Sequence, residues 1–197
     1  MKKLLLALTV AASFTAVADQ TCVPNAAQST PTANFIANDN GTVTDRATNL
    51  MWMRCTIGQT FNAETKNCDG QPQTFFWQDA LQAAESVRTN KQHAYYQFAG
   101  VTNWRVPNIK ELTSIRETAC YNPALNETIF PNSFVLADGG YAYLWSATHL
   151  AADSDVSGDG DNVGIMIMDL NFGGTSVTIS PTDYRRQILL VADPKAQ

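Results

Sequence analysis

Residues 104–112 read Trp104-Arg105-Val106-Pro107-Asn108-Ile109-Lys110-Glu111-Leu112. Pro107 biases Val106 towards extended backbone. Asn108 then opens a helix, and Glu111, three residues on, completes the pattern of a capping box. Ile109, Leu112, Ile115 and Ala119 line the buried face of that helix, Cys120 ends it, and Pro123 lies just beyond. Trp104 packs beneath this strand-to-helix corner. Arg105 has two readings there, an ion pair with a carboxylate or a contact to a ligand.

Upstream, Trp77, Ala80, Leu81, Ala84 and Val87 recur at helical spacing, which predicts an amphipathic helix over 77–88. Residues 43–45 and 50–53 read as short strands around a turn at 46–49, and 56–73 reads as a loop broken by Gly58, Gly70 and Pro72. Beyond residue 141 the pattern changes to strands, at 143–147, 163–170, 175–179 and 187–191, with Gly173-Gly174 as a turn. The expectation is an α+β domain, two helices packed on one side of a small antiparallel sheet.

Lys2 and Lys3, the apolar run at 4–12 and Ala16-Val17-Ala18 make a secretory signal peptide over residues 1–18. Residues 19–40, polar and containing Pro24 and Pro31, form an irregular leader, and residues 41–197 form one domain. No later stretch is long and apolar enough for a membrane span. The 13 basic residues fall to 11 without Lys2 and Lys3, against 18 acidic ones, a net charge of −7. A chain this acidic, without a Lys/Arg run, is a poor partner for nucleic acid or an acidic membrane. The expected location is outside the cytoplasm: secreted, on the cell surface or in the periplasm.

Four cysteines in an exported chain read as two disulfides, with three possible pairings. Cys55–Cys68 is favoured because it closes a short polar loop, which leaves Cys22–Cys120 to tie the leader to the body. The histidines, His93 and His149, sit in no hydrolase or metalloprotease motif, and no two carboxylates are paired as acid and base. The chain therefore reads as a non-enzyme.

The order and spacing of several segments resemble one family. They are Thr44-Asp45, Leu50-Met51-Trp52, Cys55-Thr56-Ile57-Gly58-Gln59-Thr60-Phe61, Trp77-Gln78-Asp79-Ala80-Leu81 and Phe98-Ala99-Gly100, followed by residues 104–112. Cys120-Tyr121-Asn122-Pro123-Ala124, Phe130-Pro131-Asn132 and Leu144-Trp145-Ser146-Ala147-Thr148 complete the set. This is similar to the bacterial DUF1566, or Lcl C-terminal, domain, from about residue 41 to 191. The resemblance implies a C-type-lectin-like topology and a secreted or surface-exposed adhesin-like module that binds carbohydrate, sulfated chains included. Trp145 and Arg105 are the candidate ligand contacts. Two features depart from the family. The last strand is Tyr184-Arg185-Arg186-Gln187-Ile188-Leu189-Leu190 where a strand rich in Arg and aromatic residues is usual, and the net charge is strongly negative. Sulfated ligands call for clustered Lys/Arg.

Residues 153–162 hold the densest carboxylates. Asp153, Asp155 and Ser157-Gly158 match the opening of a calcium loop, and Asp159 and Asp161 add further oxygens. Gly164 stands at the twelfth position, where an EF-hand needs a bidentate Glu, so an EF-hand is excluded. The two readings are a solvated acidic loop and a Ca²⁺ site made from Asp153, Asp155, Ser157, Asp159 and Asp161. The functional expectation is an exported binding domain for a glycan or a surface protein, calcium-assisted if that loop binds the ion. The alternative is a structural or accessory subunit of a surface or periplasmic assembly making protein contacts. An oligomer is compatible with either.

Overall fold

The computed structural model describes residues 20–132, 142–150, 164–179 and 182–193. Residues 1–18 and the 153–161 loop, read above as signal peptide and calcium site, lie outside the described residues. The elements in chain order are β1 (Thr21–Cys22), β2 (Phe35–Ala37), β3 (Thr42–Asp45), β4 (Met51–Met53), β5 (Gln59–Asn62), β6 (Asn67–Gly70), α1 (Trp77–Thr89) and α2 (Ile109–Ser114). β7 (Cys120–Tyr121), β8 (Tyr143–Leu150), β9 (Gly164–Asp169), β10 (Thr175–Thr178) and β11 (Val191–Ala192) follow.

The domain is mostly β, which corrects the expected α+β, C-type-lectin-like arrangement of two helices on one sheet. Among the described residues eleven strands form four small sheets, β11-β4-β3-β2, β10-β9-β8, β5-β6 and β1-β7. One helix has length, the 13-residue α1, whereas α2 has 6 residues. The capping box starts α2 as read. Asn108 accepts from the Glu111 N–H at 2.9 Å, and Glu111 Oε2 accepts from the Asn108 N–H at 2.7 Å. The helix stops early for two physical reasons. The Thr113 and Ser114 hydroxyls donate to the carbonyls of Lys110 and Glu111, a side-chain competition that disfavours continuation. The chain then turns back, with a bridge from Arg116 to Leu125 and the Glu117 N–H donating to Ala124 C=O at 2.9 Å. Ile115 and Ala119 keep the apolar spacing but reach the core from a turn, not a helix.

Two other segments are more ordered than read. The 56–73 loop contains the β5–β6 hairpin, closed by Cys55–Cys68 with Cα atoms 5.7 Å apart. The 19–40 leader contributes β1, which pairs with β7 at the Cys22–Cys120 disulfide, and β2, which pairs with β3. The β3–β4 hairpin matches its sequence reading, and its turn is held by Asp45, which accepts from the Ala47 N–H and the Thr48 hydroxyl.

Side-chain alternation along the strands explains how so small a set of sheets makes a core. Trp52, Leu144, Met168, Leu189 and Val191 enter one hydrophobic cluster with α2. Their neighbours Met53, Trp145, Ile167, Ile188 and Leu190 enter a second, with α1. β4, β8, β9 and the extended 188–191 segment therefore form a layer with apolar contents on both sides. Residues 186–191 stitch the two larger sheets together. Trp145 N–H donates to Gln187 C=O at 3.1 Å, and Met53 N–H donates to Leu190 C=O at 3.0 Å. The expected last strand at 187–191 is extended, but its regular pairing is confined to β11. Among the described residues no helix is long and apolar enough to cross a membrane.

Candidate functional site

Trp145 is fully buried, and its indole N–H donates to Phe75 C=O at 2.7 Å. It sits within the second core, and one face of its ring meets Arg186. Arg105 bridges two carboxylates. Its guanidinium donates to Glu111 at 2.7 and 2.8 Å and to Asp193 at 2.6 and 3.2 Å. The Glu111 bonds, and after them the Asp193 bonds, hold the Arg105 pKa above its ordinary value, while the bond from Arg105 holds Asp193 below its own. Arg105 therefore clasps the C-terminal strand to the start of α2.

The two disulfides stand as Cys22–Cys120 and Cys55–Cys68, leaving no free cysteine. His149 is exposed at the end of β8. His93, in the 90–100 loop, is half-buried and accepts the Tyr95 N–H at 3.2 Å. Among the described residues no group of three or more His, Cys, Asp or Glu side chains is placed to hold a metal. A polar cleft of about 220 Å³ lies at the seam of leader and body, beside Gln20, Thr32, Glu117 and Asn126. The Glu117 carboxylate in it already accepts five bonds, from the Ser29, Thr30 and Ala119 amides and the Ser29 and Thr30 hydroxyls.

A different cluster has unused capacity. Arg186, half-buried beside β8, lies 4.8 Å from the Tyr143 ring centroid, 4.9 Å from that of Trp145 and 5.2 Å from that of Tyr184. Its backbone pairs with Phe75, which puts Arg185 over Phe76 at 4.9 Å. The Arg186 Nε is buried without a hydrogen-bond partner, and neither arginine meets a carboxylate among the described residues. Arg185 donates once, to Thr74 C=O at 2.9 Å. Burial pushes the Arg186 pKa down, and the Tyr143 and Tyr184 hydroxyls only partly offset this. The group still carries its charge at any physiological pH. Two adjacent planar cations, framed by ring faces and topped by the exposed Tyr184, suit a ligand that offers an anionic fork beside an apolar face.

The model of the Lcl C-terminal domain family matches residues 41–191. The chain belongs to the Lcl C-terminal domain family. No curated protein and no solved structure matches it. The Lcl C-terminal match includes the whole Arg185–Arg186 cluster and excludes β1 and β2, which the disulfide and sheet pairing nonetheless join to the domain. The sequence holds one local signal of the cluster, the run Tyr184-Arg185-Arg186, met above only as a departure from the Lcl C-terminal pattern. Its framing rings, from Phe76 and Tyr143, are remote in sequence and carry no such signal.

Proposed function

We propose that this protein is an exported, non-catalytic binding module that recognises a glycan or another surface ligand bearing carboxylate or sulfate groups. The observation that supports it is the pair of guanidinium groups, Arg185 and Arg186, set among Phe76, Tyr143 and Tyr184 without carboxylate partners among the described residues. The chain's net negative charge repels polyanions as a class, so recognition rests on this local geometry and not on long-range attraction. Export is supported by the signal-peptide pattern at residues 1–18 and by two disulfides, which persist in oxidising compartments. Calcium assistance is part of the proposal, on the carboxylate density of Asp153, Asp155, Asp159 and Asp161.

The test is a glycan array of the mature protein, run in millimolar Ca²⁺ and again in EDTA. Hits confined to one class of acidic glycan, weakened about tenfold by Arg186→Lys because an ammonium lacks the planar fork, support the reading. An array blank in both conditions sinks it and turns attention to protein partners. A melting temperature identical in Ca²⁺ and EDTA removes the calcium component alone. Saturation at about 100 times Kd adds about 2.7 kcal/mol, which raises the melt by several degrees.

A further inference from the structure

Tyr121 and Phe172 form a stacked ring pair on the surface, with centroids 6.1 Å apart and planes 18° apart. Tyr121 is 37% exposed and Phe172 56%. Phe172 sits at the tip of the β9–β10 hairpin, and three bonds fix that tip. The Asn122 N–H donates to Asn171 C=O at 2.8 Å, the Ala124 N–H to Leu170 C=O at 2.7 Å, and the Asp169 N–H to Gly174 C=O at 2.7 Å. Gly173 has φ +70°, and a Cβ there would come 2.6 Å from Arg116 Nε. A glycine at this position lets the Arg116 stem lie against the hairpin tip, at the residue that follows Phe172. Arg116 meets no carboxylate among the described residues, and its buried Nε has no hydrogen-bond partner.

We propose that this ridge is a sugar-binding site that takes one uncharged pyranose ring. The exposed part of the stacked pair, chiefly Phe172, offers an apolar ring surface for the C–H face of a pyranose. The terminal nitrogens of Arg116 are donors only and match hydroxyl oxygens at the edge of the sugar. Size argues against a protein partner, because a stable protein interface takes about 800 Å² from each side, far more than two half-exposed rings present. Charge favours an uncharged sugar, because the Asp169 carboxylate, which accepts the Asn171 N–H at 2.8 Å, lies in the same turn and sets a negative charge against that of Arg116. The site is separate from the Arg185–Arg186 cluster and does not depend on that reading.

The experiment is affinity electrophoresis of the mature protein in native gels cast with barley β-glucan, galactomannan or dextran. The wild type is retarded by at least one of them. Phe172→Ala and Phe172→Leu weaken retardation about tenfold, the size of one lost aromatic stacking platform. Their melting temperatures stay at the wild-type value because Phe172 is exposed. Arg185→Ala combined with Arg186→Lys leaves the retardation unchanged. Failure of all three polysaccharides to retard the wild type overturns the proposal. So does full retardation of a folded Phe172→Ala variant, or a loss that follows the Arg185 and Arg186 substitutions instead.

Discussion

Glu117 shows at a single residue how this fold handles buried charge. Burial pushes its pKa up, and the Ala119, Thr30 and Ser29 amides with the Thr30 hydroxyl push it down further than burial raises it. The carboxylate is the acceptor that lets the 29–30 segment dock against the turn after α2. Glu117→Gln replaces one acceptor oxygen with a donor NH₂ that faces other donors. That change should cost about 2–3 kcal/mol, read as a lower urea midpoint with an unchanged slope. Asp193 is a weaker case because its side chain is 55% exposed. Its folded pKa is depressed by Arg105, so its stabilising effect is present above the unfolded value of about 3.9 and is lost as pH falls through the folded one. Asp193→Asn should cost under about 1 kcal/mol at pH 7, after allowance for solvent screening. The difference from wild type should close as urea midpoints are taken from pH 5 down to pH 2.

At the scale of elements, α2 shows which local signals hold and where they stop. Its capping box is present with both reciprocal bonds. Asn108→Ala should therefore cost about 1 kcal/mol, measurable as a fall in the melting midpoint. The apolar spacing that predicts a helix to residue 120 is real, since Ile115 is fully buried and Ala119 nearly so. A turn presents those side chains as well as a helix would. Periodicity reports which residues face the core, and the backbone that carries them is settled by hydroxyl competition at Thr113 and Ser114 and by pairing with 124–125.

For the whole molecule, the two disulfides constrain very different lengths of chain. Cys22–Cys120 spans 98 residues and Cys55–Cys68 spans 13. On chain entropy alone the long loop gives about 1.8 kcal/mol more stabilisation. Cys22→Ser with Cys120→Ser should therefore lower the urea-derived stability more than Cys55→Ser with Cys68→Ser. Equal losses would mean that the leader adds little beyond its own contacts. The long bridge also joins a segment outside the family match to the domain, so residues 20–40 belong to the folding unit. The two cores meet at one layer of strands, and the alternating side chains of 188–191 feed both of them, Leu189 and Val191 one and Ile188 and Leu190 the other.

The sequence by itself determined the features whose causes lie within a few residues. These are the capping box at 108–111, the β3–β4 hairpin, helix α1 and the short Cys55–Cys68 loop. The ordered motifs also identified the family. Only the tertiary structure decided that the domain is mostly β, that the leader supplies two strands, and that α2 ends at Ser114. It also decided which arginine is engaged and which has capacity to spare. Arg105 is taken up by Glu111 and Asp193, while Arg186 lies among Tyr143, Trp145 and Tyr184. The reason is physical. Caps, turns and periodicity act through bonds between near neighbours in the chain. The partner of a guanidinium or of an aromatic face is whatever the packed core brings to it, and here Asp193, Tyr143 and Trp145 come from remote segments that leave no mark on the sequence around either arginine.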